Sequence, residues 1–188
     1  MAQGMDYLTA FEIAQEVQLD FISLSFSWDI MEYWNDTSAT WQWNSTAEEN
    51  FEIMDYFYPF YDVQVALVIC PIDTNNLRIP EPLQGFNFND SEVVTQFTRM
   101  IDYYLGLIPN VDLLCLSLGN EVDIFLGDDE VVWEQYESFF TQVKTHIQQT
   151  YPLLVIGTKT TYEGLLYNYP DEIVALNMHT DVIMTTYY

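Results

Sequence analysis

Positive charge is what this sequence has least of. Its 188 residues hold four lysines and arginines (Arg78, Arg99, Lys144 and Lys159) against 29 aspartates and glutamates, for a formal net charge of -25. Nucleic acids and anionic lipid are bound through clustered cations, which four scattered residues cannot supply, and the acidic surface repels both. Neither nucleic acid nor membrane is expected as a partner. Such a surface also repels itself, which salt would relieve. Cysteine is scarce as well. Cys70 and Cys115 each lie in an apolar run that reads as a strand, so both are expected as buried free thiols, since cysteine behaves as a small hydrophobe. His146 and His179 have no partner ligands at metal spacing, and the acidic run Asp123, Asp128, Asp129, Glu130 lacks calcium-loop spacing. It reads as a solvated turn and helix start, and no metal or cofactor is expected. No apolar run is long enough to span a membrane, and no basic segment with an apolar stretch behind it marks a signal peptide. No glycine-rich phosphate loop follows any strand, which removes support for a nucleotide-binding sheet.

What is present is apolar and aromatic. Residues of hydrophobic type make up 49% of the chain, enough for one sizeable core and a single domain over 1–188. Helical spacing runs over 6–17. LDFISLSFSW reads as a strand ending near Trp28, with Ser23, Ser25 and Ser27 alternating with Leu24 and Phe26. Residues 29–44, with Trp34, Trp41 and Trp43 among polar residues, read as a loop. Thr46 and Glu49 resemble a capping box for a helix over 47–58. VQVALVIC (63–70) is a strand covered on both faces, followed by a loop over 71–88 that holds Asp73 and Arg78. A helix is expected from Ser91 to Leu107, then a strand over 111–119, a loop over 122–130, a helix over 131–149, a strand over 153–160, a helix over 163–176 broken near Pro170, and a last strand at 181–188. Five strands alternating with helices are most simply parallel, joined by right-handed crossovers. Periodicity leaves two α/β architectures open, a doubly wound sheet and a closed barrel.

In a barrel, chemistry sits at the carboxyl ends of the strands. The residues there are Trp28 with Asp29 and Glu32, Asp73, Asn120 with Glu121, Lys159 with Thr161, and Tyr187. Glu121 stands out, because a charged side chain has no packing reason to come after the apolar run VDLLCLSLG. Period-two parity would place Cys115, Ser117 and Gly119 on the side of Glu121 and Leu114, Leu116 and Leu118 toward the helices. Trp28 is either a sugar-stacking platform or a core residue at the strand end. The three loop tryptophans form either a binding surface or a satellite cluster. Asp73 and Arg78 could line a cleft, but a structural ion pair between them is the default reading. For Glu121 the plain alternative is a loop cap or a partner of Lys159.

The segments SLSFSWDIME (23–32), LSLGNEVDIFL (116–126) and DVIMTTYY (181–188) resemble a large clan of retaining (β/α)8-barrel glycoside hydrolases, with the nearest look to endo-β-1,4-galactanases and β-galactosidase-like members. The resemblance implies a partial TIM barrel whose five visible strands are the family's second to sixth. It implies Glu121 as general acid/base and Asn120 as the ligand of the sugar 2-hydroxyl. Tyr187 would be an aromatic residue near the nucleophile. Trp28, Asp73 and Arg78 are further candidate substrate contacts from their own positions at strand ends and in the following loop, not from the resemblance. The nucleophilic glutamate belongs to the family's seventh strand. The 188 residues are therefore expected to be a fragment, inactive alone and poorly stable, of a parent that hydrolyses β-linked carbohydrate without a cofactor. A secreted parent would fit this reading. The rival is a carbohydrate-binding or scaffold protein of the same ancestry that performs no catalysis.

Overall fold

The computed structural model describes residues 7–187. Helix α1 (Tyr7–Glu16) leads into strand β1 (Phe21–Ser27), whose alternating serines and apolar residues give it two unlike faces. Trp28 opens a one-turn helix, α2 (Trp28–Met31). The tryptophan-rich stretch expected as a loop is a hairpin, β2 (Glu32–Asn35) paired antiparallel with β3 (Thr40–Trp43), with Trp34 opposite Trp41. Aromatic residues suit a half-buried pleated surface, and the Asn35 side chain accepts from the N–H groups of Thr37 and Ser38 to turn the chain between the strands. Helix α3 (Ser45–Phe60) is capped by Asn44, which accepts from the N–H groups of Thr46 and Ala47, in place of the expected Thr46–Glu49 box.

Strand β4 (Gln64–Asp73) runs three residues past its expected end and folds back through β5 (Asn76–Leu77), paired antiparallel with it. Helix α4 (Ser91–Gly106) has Asp90 at its N-cap. Strand β6 (Leu113–Asn120) is followed by a short helix, α5 (Asp123–Leu126), where a loop was expected, and then by α6 (Glu130–Thr150), capped by Asp129. The next strand begins at Ile156 and is divided into β7 (Ile156–Gly157) and β8 (Lys159–Thr161). The division falls where Thr158 Oγ1 donates to the Leu118 carbonyl at 2.9 Å and the Tyr136 hydroxyl donates to the same oxygen. Side-chain donors replace the backbone ladder at that step. A π-helical turn (Gly164–Asn168), helix α7 (Pro170–Asn177) and strand β9 (Met184–Thr186) complete the description, with the expected break at Pro170.

The main sheet has the order β1-β4-β6-β7, all parallel, and β8 pairs parallel with β9. Space therefore follows chain order without reversal. A doubly wound sheet reverses its order at a switch point, whereas a barrel adds each strand beside the last. With β7 and β8 counted as one interrupted strand, five parallel strands and their helices form part of a (β/α)8 barrel.

Register fixes two unlike faces. Leu24, Leu67, Leu116 and Ile156 lie side by side and pack toward the helices, the last three fully buried. Phe51, Phe97, Tyr104, Phe139 and Phe140 from α3, α4 and α6 cover them. Each such ring contributes roughly 1.5–3 kcal/mol by leaving water. The neighbouring row, Ser25, Val68, Ser117 and Gly157, is small and faces the other way. Ser25 Oγ lies 3.4 Å from Cys70 Sγ on that inner face. Both cysteines are free; Cys70 is buried, and Cys115 is only partly so. Cys115 pairs with Ala66, four residues before Cys70, which at ~3.3 Å per residue keeps the thiols roughly 13 Å apart along the strand direction.

Candidate active site

The carboxyl ends of β4, β6 and β9 converge on Glu121. The chain turns out of β6 at Gly119, where φ is +105° and an added Cβ would lie 2.5 Å from Val122 Cγ1 and 2.8 Å from the Tyr136 hydroxyl. Only glycine fits there. The turn carries Asn120 and then Glu121, itself at φ +49°. Glu121 is only 4% exposed. Its Oε2 accepts from Thr74 Oγ1 at 2.9 Å and its Oε1 from Thr186 Oγ1 at 2.7 Å. Asn120 Nδ2 donates to Asp73 Oδ1 at 2.9 Å, and the Thr74 N–H donates to the Asn120 carbonyl at 2.8 Å. Asp73, Asn120 and Glu121, picked out separately in the sequence, thus form one connected group.

Arg78 does not pair with Asp73. Its guanidinium lies 3.5 Å from Asp29 Oδ2. The β4–β5 turn brings Arg78 back so that its N–H donates to the Pro71 carbonyl and its own carbonyl accepts from the Asp29 N–H. Backbone pairing therefore decides the partner. Asp29 Oδ1 and Arg78 Nε are buried with no hydrogen-bond partner among the described residues.

The sugar-platform reading of Trp28 is overturned. Its side chain is 0% exposed, its ring meets Phe97 edge-on at 4.8 Å, and its indole N–H donates to Glu32 Oε1 at 2.6 Å. No face of the ring is left for a ligand. Glu32 is likewise removed from the rim. It is buried and also accepts from Gln96 Nε2 at 2.6 Å and Arg99 at 2.8 Å. Burial pushes the Glu32 carboxyl above its ordinary range, and the donors of Trp28, Arg99 and Gln96 oppose that shift. Arg99 lies over the Trp43 ring at 4.3 Å, and Trp43 stacks on Tyr103. At least Trp43 thus belongs to an anchoring cluster.

Tyr187 is 76% exposed at the rim, with its ring edge-on to Tyr162 at 5.2 Å. Its neighbour Thr186 is the residue that reaches Glu121. Asp123, expected in solvent, is fully buried and accepts from the Thr161 N–H at 2.8 Å and from Thr161 Oγ1 at 2.5 Å. It ties the end of β8 to the start of α5. Thr74, Thr186 and Asp123 escaped the sequence reading because threonine is ordinary in strands and turns, and an acid in an acidic run looks solvated. Their position just beyond or at strand ends was the one signal available. Among the described residues no group of histidine, cysteine, aspartate or glutamate could hold a metal ion.

No family model matches the chain, and no curated protein matches it in sequence. Solved structures do match. The exo-β-1,4-mannosidase Op5Man5 from Opitutaceae bacterium strain TAV5 superposes with a TM-score of 0.69 at 11% identity, covering 95% of this chain and 34% of that one. A GH5_18 protein from Streptomyces cattleya, in complex with Manb1-4GlcNAc, gives 0.62 at 15% identity over 82% of this chain and 39% of its own. A β-glucosidase from Thermotoga maritima, in complex with deoxynojirimycin, gives 0.56 at 13% identity over 85% and 42%. The chain spans well under half the length of each of these proteins, and at such identities the likeness is one of fold. That fold is the (β/α)8 barrel, of which this chain forms a part.

Proposed function

We propose that the chain is the middle portion of a retaining β-glycosidase barrel, with Glu121 as the general acid/base. The observation that carries this reading is the position of the Glu121 carboxyl. It comes after Asn120 at the carboxyl end of a parallel barrel strand and is held there by hydroxyls from two other strand ends. Catalytic groups of such barrels come from several strand ends at that face. Asn120, oriented by Asp73, is the residue placed to meet the hydroxyl beside the anomeric carbon. Arg78, with its unmet buried Nε, and the exposed ring of Tyr187 are the further substrate contacts in this reading. Trp28 has no part in it.

A retaining mechanism needs two carboxyl groups ~5–5.5 Å apart, one to attack the anomeric carbon and one to protonate the leaving oxygen. Glu121 takes the second role and then deprotonates the water that releases the sugar. The attacking carboxylate is assigned to a barrel strand beyond the five described. The substrate is a β-linked oligosaccharide or polysaccharide.

Proton donation matters in proportion to the basicity of the leaving group, which gives the test. In the protein whose barrel contains this segment, Glu121→Ala is expected to slow cleavage of an alkyl or disaccharide β-glycoside by ~10²–10⁴-fold. It should slow formation of the glycosyl intermediate from a dinitrophenyl β-glycoside far less. Equal losses on both substrates, or none, would refute the assignment. Running β-mannosides, β-glucosides and β-galactosides in parallel identifies the sugar.

A further inference from the structure

Two residues other than glycine at this rim adopt left-handed backbone conformations, and they are bonded to each other. Thr74 has φ +55° and Glu121 has φ +49°. A β-branched residue at positive φ is a genuine outlier, because its Cβ crowds the backbone, and a turn at that point would be served better by glycine or asparagine. Threonine offers the turn nothing that those residues lack except a hydroxyl on a stiff Cβ. That hydroxyl donates to Glu121 Oε2 at 2.9 Å. From the opposite side Thr186 Oγ1 donates to Oε1 at 2.7 Å. The backbone N–H of Thr74 also holds the carbonyl of Asn120, so the turn and the carboxyl are gripped together.

We infer that Thr74 and Thr186 are positioning residues that clamp the Glu121 carboxyl between the ends of β4 and β9. This rests on the reading of Glu121 as the acid/base. Each carboxyl oxygen is met by one hydroxyl, which fixes the rotation of the group and therefore the direction in which it can present a proton. Both hydroxyls donate, so the clamp grips the ionised carboxylate more strongly than the protonated acid. Backbone strain is often kept where geometry must be over-determined, and here the strained residues are the two clamped partners.

The test needs a readout that does not depend on turnover. The side-chain carboxyl carbon of Glu121, labelled with carbon-13 and assigned by its loss in Glu121→Gln, is titrated in the protein whose barrel contains this segment. Hydrogen bonds donated to a carboxylate favour its charged form, so Thr186→Val and Thr74→Gly are each expected to move the titration midpoint upward, and Thr186→Ser and Thr74→Ser to restore it. Thr74→Gly also relieves the backbone, so its melting temperature should equal or exceed that of the wild type while the midpoint still moves. In the active barrel each hydroxyl deletion is expected to slow hydrolysis of a poor leaving group on the order of tenfold, the effect of losing one bond to a charged group. Unchanged midpoints in Thr186→Val and Thr74→Gly would overturn the clamp. If the midpoints move but Glu121→Ala shows no dependence on the leaving group, the clamp stands and the acid/base reading falls.

Discussion

At the scale of single residues, two carboxyls that look alike in the sequence do different work because their surroundings differ. Glu121 sits at the open end of the strands between two hydroxyls. Glu32 opens the first strand of the hairpin and is buried among Trp28, Gln96 and Arg99. Burial is the dominant influence on Glu32 and raises its pKa above the ordinary 4.5. A carboxyl raised on folding is protonated more readily in the folded than in the unfolded chain. The stability it contributes is therefore full below the unfolded value and is lost as pH rises through the folded one. Glu32→Gln removes that titration. Urea unfolding of both proteins between about pH 4 and 8 should show the wild type losing stability relative to Glu32→Gln as pH rises. The opposite trend would mean that the Arg99 ion pair outweighs burial.

At the scale of elements, the acid-bearing turn is built by α5 and the end of β8 as much as by β6 itself. Asp123 fastens α5 to the end of β8 through Thr161, and the π-helical turn begins directly against it. Gly164 is pressed so closely that an added Cβ would lie 2.1 Å from Asp123 Oδ2. Gly164→Ala therefore forces the carboxylate aside and should cost about 1–3 kcal/mol of unfolding free energy, as overpacking of a tight site does. Chemical denaturation measures it directly. Gly85, with nothing within 4 Å of an added Cβ, is the control, and Gly85→Ala should change stability far less.

Strand periodicity was legible at this scale. The strands FISLSFS, VQVALVIC and LLCLSLG were readable, since a period of two or an unbroken β-branched run has few other solutions. Their spatial order was not, because the same periods fit a doubly wound sheet, and the expected parity fails at Leu114, which is exposed beside a register shift. The hairpin at 32–43 was not readable, because polar and aromatic residues mixed together suit a turn and a half-buried ribbon equally well. The partner of Arg78 was not legible either. It is set by the backbone pairing of β4 with β5, and a run of two paired residues leaves almost no pattern.

For the whole molecule, charge is the governing quantity. A net -25 on a chain of this size makes the folded state repel itself, and the ion pairs of Arg78, Arg99 and Lys144 offset only a small part. Raising sodium chloride from about 0.05 to 1 M shortens the Debye length to ~3 Å, and the melting temperature should rise steadily over that range. A flat or falling curve would show that self-repulsion is not limiting.

The sequence alone determined the α/β class of the fold and the one acid with no packing reason to be where it is, and its charge set the expectation that polyanions are not partners. Hydrophobic period, charge count and an Asn-Glu pair after an apolar run are local properties, carried by neighbours in the chain. Which side chains meet Glu121 was decided only in three dimensions. Thr74 and Thr186 lie 47 and 65 residues from it, and a hydrogen bond is set by strand register and turn geometry, not by composition. The same holds for Trp28, whose place at a strand end fitted a sugar platform and a core residue equally, until the packing of Phe97 and the buried carboxyl of Glu32 decided for the core.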